Sequence, residues 1–254
     1  MFFASQRRIN NKFMSKTIIL IPSRLSASRL PGKPLLKING MTLINHVYKK
    51  AIDTKIGEVY VTTGDIKIYE NVKNNGGNSI LTKKNHSTGT DRIYEGLQIL
   101  KKKNIDYVLN LQGDEPLISI NDIKLLKKKI IEGNYQMGTL ACKLKNNELY
   151  NKDIVKVAAD KTLEKKKISK AINFFRKNKF NNPHIYHHIG IYLYKYSTLK
   201  KIVSLKKTFS EKKLKLEQLR ALDNNIPIHT VFAKNKPIGV DTIEDFRKVK
   251  KLLE

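Results

Sequence analysis

The sequence predicts an α/β protein built on a mainly parallel, doubly wound sheet. Apolar runs of strand length alternate with segments in which apolar residues recur at helical spacing. One example is TIILIP (17–22) and the helical pattern that begins after Thr42. TIILIP is apolar throughout, which is typical of a strand covered on both faces. Strands that alternate with helices form βαβ units, and such units build parallel sheets.

The first half contains four predicted strands, with helical or helix-like segments between them. TIILIP is followed by a helix that begins after Thr42, and then by the strands EVYVT (58–62) and SILT (79–82). A helix from Asp91 onward places apolar residues three to four positions apart. The strand YVLNLQ (107–112) closes the series.

The second half is less regular. Its predicted helices are 210–222 and 242–253, and the polar segment 161–183 is expected to leave the main sheet. Its predicted strands are MGTLACKL (137–144), IVKVAAD (154–160), KAINFFR (170–176), HIGIYLY (188–194) and IPIHTVFA (226–233).

The composition of the 254 residues, 40% of them hydrophobic, is that of a globular protein. The apolar runs are far shorter than a membrane-spanning helix, and the one cysteine, Cys142, excludes an intrachain disulfide. The net charge of +28 comes from 42 lysines, dispersed in short runs, and 8 arginines. This dispersal indicates compositional bias, so we expect no specific nucleic-acid partner and no membrane association, although a basic nucleic-acid-binding protein is the alternative class.

The first residues have two interpretations. Residues 1–13 carry two arginines and no acidic group, as a targeting peptide does. The interpretation we favour is that Met14 is the native start. The chain would then be a 13-residue extension followed by a single domain over 14–254.

A basic loop, PSRLSASRLPGKP (22–34), follows the first predicted strand. Open α/β sheets bind nucleotides at the carboxyl ends of their strands, and Arg24, Arg29 and Lys33 could converge there on phosphate oxygens. The flanking prolines restrict the backbone and so lower the entropy lost in fixing these charges. The loop lacks the glycine pattern of a P-loop, and a solvated basic loop is the alternative.

Two acidic positions are candidates for a metal site. Asp114 and Glu115 end the predicted strand in NLQGDEPLI (110–118), and Asp241 follows the apolar IGV in GVDTIED (239–245). Magnesium needs only one or two carboxylates when phosphates and water supply its other ligands. Helix capping explains Asp245 without any function, and either Asp114 or Glu115 could also cap a helix.

Three further segments carry polar groups. HSTGTDR (86–92) joins a strand to a helix, where backbone amides can contact a base, ribose or phosphate. Neighbours on a strand face opposite sides, so only one of His187 and His188 can face a given site. Glu217 and Gln218 lie off the leucine stripe of their helix, and a solvated face is the alternative interpretation.

Together these motifs resemble the 3-deoxy-manno-octulosonate cytidylyltransferases, also called CMP-Kdo synthetases. The resemblance spans 21–246, and LEQLR and HIGIYLY separate this family from other sugar nucleotidyltransferases. Its matching segments are IPSRLSASRLPGKPL, HSTGTDR, NLQGDEPLI, VKVAAD, HIGIYLY, LEQLRAL and GVDTIEDF.

The resemblance implies a nucleotide-diphospho-sugar transferase fold with a smaller excursion for sugar binding and dimerisation. It also implies a cytoplasmic homodimer that joins CTP and Kdo into CMP-Kdo and pyrophosphate for lipopolysaccharide synthesis. Lys33, Asp114 and Asp241 would be catalytic, and the two aspartates would bind Mg²⁺. The nucleotide would be held by Arg24, Arg29, Lys33, Thr88, Gly89, Thr90 and Gln112, and the sugar acid by Arg176, His188, Tyr192, Glu217 and Gln218.

Three positions depart from the family pattern. Gly64 stands where an aspartate is usual, so Asp65 either substitutes for it or merely shifts the loop. Phe175 replaces a serine, and His187 replaces an arginine. These changes surround the sugar side, so another sugar acid, of the 8-amino-Kdo or sialic acid type, is the alternative substrate.

Overall fold

The first apolar run forms strand β1 (Thr17–Ser23), which lies inside a sheet between β4 (Glu58–Thr63) and β6 (Tyr107–Asn110). Both neighbours run parallel to β1, and β5 (Ser79–Leu81) extends the parallel half at its edge. The short strands β2 (Lys37–Ile38) and β3 (Met41–Thr42) form a separate antiparallel pair after the basic loop. The computed structural model describes residues 15–26, 29–177 and 182–254. The predicted extension, residues 1–13, lies outside these ranges.

Helices cover both faces of this half of the sheet. Ile19 and Ile21 of β1 pack in the same core as α1 (Leu43–Asp53), α2 (Ile66–Asn74) and α4 (Ile120–Glu132). Ile18 and Leu20 point to the other face and share a core with α3 (Gly89–Leu100) and α6 (Tyr196–Ser204). Alternate residues of a strand face opposite sides, so the apolar run of β1 is explained by two cores.

Beyond β6 the sheet is mixed. The long strand β10 (Ile185–Lys195) lies between β6 and β7 (Met137–Lys143) and is antiparallel to both. The full order is β5-β4-β1-β6-β10-β7-β11-β9-β8, with β8 at Lys156–Ala159, β9 at Ile168–Phe175 and β11 at Ile228–Phe232. Because β8 also pairs with β10, the strands β10, β7, β11, β9 and β8 close into a ring.

The predicted α/β class and the parallel first half are confirmed. The prediction that 161–183 leaves the sheet is wrong for β9, which pairs with β11 and β8. Only α5 (Leu163–Lys166) precedes β9 in that segment. The helix predicted over 210–222 is two short helices, α7 (Phe209–Leu214) and α8 (Leu219–Asp223), because Lys215 adopts a φ of 54° and ends α7.

The last element, α9 (Ile243–Leu253), agrees with its prediction and begins at a capping box of Thr242 and Asp245. Among the residues that the structure describes, no helix has the length and apolar character needed to cross a membrane.

Candidate active site

A cleft of about 310 Å³ opens at the carboxyl ends of β1 and β6. This is the edge at which open α/β sheets bind ligands. Four parts of the chain line it: the end of β1 with the basic loop, the segment before α3, the turn after β6, and two residues from the second half. The lining residues predicted from the sequence are Arg24, Arg29, Lys33, Thr88, Gly89, Gln112, Asp114, Glu217 and Asp241.

The basic loop is closed by backbone hydrogen bonds. The Gly32 amide donates to the Leu25 carbonyl at 3.0 Å, so the two ends of the loop meet. Gly32 has a φ of 73°, a conformation that glycine adopts without steric cost, and it leads into the short 3₁₀ turn Lys33–Leu35. The turn aims Lys33 into the cleft.

The Lys33 ammonium lies between the two predicted metal ligands. Its Nζ is 2.6 Å from Asp114 Oδ2 and 3.1 Å from Asp241 Oδ1, and it donates to the Val240 carbonyl at 2.8 Å. Burial alone would lower the pKa of Lys33, but the two carboxylates outweigh burial and raise this pKa above its ordinary value. Lys33 is therefore a fixed cation at neutral pH.

The second cation on Asp241 is more open to solvent. Arg29 lies 2.7 Å from Asp241 Oδ2, but the two side chains are 55% and 47% exposed. Water screens such a pair, so it contributes little to stability. Arg29 can therefore leave Asp241 and bind a ligand phosphate at a small cost in free energy.

The two aspartates fit a magnesium ion. They come from segments far apart in the sequence, yet one Lys33 nitrogen contacts both carboxylates. Within the described ranges, no group of three or more His, Cys, Asp or Glu side chains is arranged to hold a metal. A pair of carboxylates that takes its remaining ligands from phosphates and water is the usual arrangement for Mg²⁺.

Glu115 is a neighbour of this centre, and from the sequence it was a candidate either for the metal site or for a helix cap. The cap of α4 is Ser119, whose hydroxyl accepts the Asp122 amide at 3.2 Å. The Oε2 atom of Glu115 is buried and has no hydrogen-bond partner among the described residues. Burial, followed by the charges of Asp114 and Asp241, raises the pKa of Glu115 to about 8.

The segment before α3 presents the amino end of that helix to the cleft. Thr88 caps α3 by accepting the Asp91 amide at 3.0 Å. The amides of Gly89 and Thr90 donate to the Glu217 carboxylate at 3.2 and 3.3 Å, and the Thr90 hydroxyl donates to it at 2.8 Å. Free amides at a helix start favour a negative charge, and here that charge is Glu217.

Three predicted sugar-site residues line a second, much smaller cavity beside the cleft. They are Tyr192, Glu217 and Gln218, and Thr90 is in the wall too. Glu217 lines both cavities, so it stands at their boundary. On the cleft side, Gln112 donates to the Gly190 carbonyl at 3.2 Å, in the irregular part of β10.

His188 lies below Tyr192 and does not line the cleft. Its ring is 5.6 Å from the Tyr192 ring, and its Nε2 is 3.0 Å from the Thr139 hydroxyl. Burial lowers the pKa of His188 to about 3, so the imidazole is neutral. The structure brings His188 next to Tyr192, which lines the small cavity, but His188 itself does not line it.

Arg176, like His188, is a predicted site residue that lines neither cavity. Its guanidinium donates to the carbonyls of Asp153 and Lys152, at 3.0 and 3.4 Å, rather than entering either cavity. It follows β9, whose end is anchored by the buried Lys156, since Lys156 Nζ donates to the Arg176 carbonyl at 2.5 Å.

Arg92 and His86 also line the cleft, although neither was singled out from the sequence. The Arg92 guanidinium is buried and donates to the Thr82 hydroxyl and to the carbonyls of Lys83 and Lys84. His86 pairs with Glu95. Both residues belong to the quoted segment HSTGTDR, so their position next to the helix start was the available signal.

Comparison with known proteins identifies the family of this chain. The family model described as cytidylyltransferase matches residues 18–232. A 3-deoxy-manno-octulosonate cytidylyltransferase of Rickettsia canadensis (strain McKiel) is 38% identical over 242 residues, which are 94% of this chain and 97% of the relative.

Solved structures give the same result for the fold. One is a CMP:2-keto-3-deoxy-manno-octonic acid synthetase complexed with CTP. It is 33% identical, has a TM-score of 0.85, and the match covers 94% of this chain and 98% of the other. A UDP-glucose pyrophosphorylase complexed with UDP-glucose is only 13% identical but has a TM-score of 0.68 over 94% of this chain and 98% of the other, so it shares the nucleotide-diphospho-sugar transferase fold. The chain belongs to the cytidylyltransferase family, and within it to the 3-deoxy-manno-octulosonate cytidylyltransferases.

Proposed function

We propose that this protein transfers CMP from CTP to 3-deoxy-manno-octulosonate (Kdo) and releases pyrophosphate. The observation that carries the proposal is the Lys33 ammonium, which lies between Asp114 and Asp241 at the end of the basic loop. The family to which the chain belongs supports the same reaction. A related synthetase has been solved with CTP bound. Together they support CTP as the nucleotide substrate.

The reaction forms a bond between the anomeric oxygen of Kdo and the α-phosphorus of CTP, and it breaks the bond from that phosphorus to the bridging oxygen of pyrophosphate. The hydroxyl proton passes to water as the new bond forms. Such a transfer depends on positioning and charge stabilisation rather than on a covalent nucleophile. A magnesium ion held by Asp114 and Asp241 would supply charge stabilisation to the leaving pyrophosphate.

In this proposal the basic side chains bind the triphosphate. Arg24, Arg29 and Lys33 line one wall of the cleft, opposite the amino end of α3. Asp114 and Asp241 would hold the metal, as their shared contact with Lys33 supports. Thr88, Gly89, Thr90 and Gln112 are assigned to the nucleotide, because they lie in or beside the same cleft.

The sugar acid is assigned to the side of the cleft next to the small cavity. Glu217, Gln218 and Tyr192 line that cavity, and His188 lies behind Tyr192. The neutral imidazole of His188 can donate one hydrogen bond but brings no positive charge. Arg176 is assigned by resemblance, and in its present position it contacts the carbonyls of Lys152 and Asp153.

The wider assignments are proposals of the same kind. One nine-stranded sheet runs through the chain from Thr17 to Phe232, which supports a single catalytic domain over 14–254. The cytoplasmic location, the homodimer, the role in lipopolysaccharide synthesis and the use of Mg²⁺ follow from the family.

The test is pyrophosphate release by the purified protein with CTP, Kdo and Mg²⁺. We expect release only when all three are present, and little release when UTP replaces CTP. A parallel series with 8-amino-Kdo and sialic acid identifies the acid that is used. Release no greater than that of CTP alone, with every acid in the series, would overturn the proposal.

A further inference from the structure

Asp65 reaches from the end of β4 to the basic loop. Its Oδ2 accepts the Leu25 amide at 2.9 Å, across forty residues of sequence. Asp65 occupies the cap position of α2, yet its side chain makes no capping hydrogen bond to that helix. An aspartate at a helix start normally caps it, so this carboxylate is used for a different contact.

Leu25 is the residue through which both ends of the loop are fixed. Its amide is held by Asp65, and its carbonyl accepts the Gly32 amide at 3.0 Å. Arg24 precedes Leu25, and Lys33 follows Gly32. The hydrogen bonds from Asp65 through Leu25 to Gly32 therefore link one carboxylate outside the cleft to two cations inside it.

The position before Asp65 has no room for a side chain. A Cβ at Gly64 would lie 2.5 Å from the Lys84 Cα, 2.8 Å from the Lys83 carbonyl oxygen and 3.0 Å from an Arg92 nitrogen. Two of these neighbours are backbone atoms that cannot move aside cheaply. An aspartate could not take position 64 without displacing this backbone, so the carboxylate in the turn after β4 comes from Asp65.

The charge of Asp65 also acts on the cations around it. Arg92 is 4% exposed and anchors the Lys83 and Lys84 carbonyls. Burial lowers the pKa of Arg92, Asp65 opposes that effect, and the charge of Arg24 adds to it. Asp65 thus offsets the repulsion between two guanidinium groups that line the same cleft.

We propose that Asp65 is a positioning residue that sets the basic loop in its ligand-binding conformation before CTP arrives. The inference rests on the proposed function, because it takes the loop to bind the triphosphate. A loop that is already ordered loses less conformational freedom on binding than a free loop does. The contribution of Asp65 should therefore appear in the affinity for the nucleotide.

Two variants and one matched control test this role. Asp65→Ala removes the acceptor, whereas the side-chain carbonyl of Asp65→Asn can still accept the Leu25 amide. The control is Asp106→Ala. Asp106 Oδ2 accepts the Lys16 amide at 2.8 Å, at the amino ends of β1 and β6 and away from the cleft. All three proteins are measured at full length with CTP, Kdo and Mg²⁺.

We expect Asp65→Ala to raise KM for CTP about tenfold, as the loss of one hydrogen bond would, while kcat and KM for Kdo change less than about twofold. Asp65→Asn should recover most of the CTP affinity, and Asp106→Ala should leave it unchanged. A merely structural role would lower thermal stability in both alanine variants without this split between the two substrates.

Amide hydrogen exchange of the ligand-free proteins gives a readout independent of activity. We expect faster exchange at Leu25 and Gly32 in Asp65→Ala than in wild type or Asp106→Ala. If wild type turns over CTP and Asp65→Ala matches it in KM and exchange, the inference is wrong. If wild type itself fails to use CTP, the proposed function fails, and the exchange result still decides whether Asp65 holds the loop.

Discussion

The Thr90 hydroxyl donates to the Glu217 carboxylate at 2.8 Å, although 127 residues separate them in the sequence. Glu217 also accepts the first two amides of α3 and lines both cavities. The cleft proposed for the nucleotide and the small cavity proposed for the sugar acid therefore share one carboxylate.

We predict that Glu217→Gln raises KM for both CTP and Kdo several-fold. The substitution removes the negative charge from the start of α3 and replaces one accepting oxygen with an amide group that cannot accept from Thr90. Steady-state kinetics with each substrate varied in turn measures this. Glu244→Gln, at the exposed first turn of α9, is the control and should change neither constant. A change in the Kdo constant alone would contradict the shared role.

The metal assignment predicts the effect of removing either carboxylate charge. Asp114→Asn and Asp241→Asn should each lower kcat by at least about a hundredfold, because metal coordination contributes several kcal/mol to such transfers. Turnover is measured across a Mg²⁺ titration, and circular dichroism checks that the fold is intact. Asp53→Asn, at the exposed end of α1, is the matched control. Wild-type rates in either site variant would remove that residue from the metal site.

Acid should destabilise the protein through two adjacent histidines. Burial lowers the pKa of His188 to about 3 and of His187 to about 4, both below the unfolded value of about 6.5. The unfolded state therefore binds more protons between pH 6.5 and pH 4, and stability falls as the pH falls through that range. At pH 5 the loss is about 2 kcal/mol for each histidine.

Chemical denaturation at a series of pH values gives the slope of the free energy of unfolding against pH. His188→Gln and His187→Gln should each reduce this slope below pH 6.5, whatever their free energy of unfolding at pH 8. Slopes in both site variants that equal the wild-type slope would show that these imidazoles do not stay neutral in the fold.

The buried pair Arg220–Glu211 joins α8 to α7, on either side of the segment that carries Glu217 and Gln218. Arg220 donates to both Glu211 oxygens, at 2.9 and 2.6 Å, and both side chains are almost fully buried. Arg220→Leu should cost about 3–5 kcal/mol, because it leaves an unpaired buried carboxylate. The double variant Arg220→Leu with Glu211→Leu should recover most of that loss.

Urea denaturation gives the free energies of unfolding for this comparison. The exposed pair Lys128–Glu132, 3.9 Å apart, supplies the control, since Lys128→Ala should change stability by less than about 0.5 kcal/mol. Equal costs for Arg220→Leu and Lys128→Ala would contradict the prediction.

The sequence predicted the parallel half of the fold well, because β1 and β6 at its centre are buried on both faces and leave apolar runs. The break between α7 and α8 had no comparable signal, since Lys215 takes a positive φ that glycine or asparagine would have indicated. Helix α6 was not identified, because only three of its nine residues are buried and its stripe is short.

The sequence was sufficient to predict which strands end in candidate site residues. Asp114 and the basic loop follow adjacent strands, so their proximity follows from the sheet order. That Lys33 would lie between Asp114 and Asp241 could not be predicted, because it depends on contacts across 81 and 208 residues of sequence. The contact of Asp65 with Leu25 is hidden for the same reason.

Strand β10 determines how far this cleft can change its shape. Its last residues pair with β6, beside the turn that carries Asp114, and its first residues pair with β8, in the ring of the second half. Although its pairing is irregular between Ile189 and Tyr192, β10 belongs to one sheet along its whole length, so the two halves are not separate lobes joined by a hinge. Changes of shape must then come from the surface segments at the rim of the cleft, and the spacing between the cleft and the small cavity is built into the sheet.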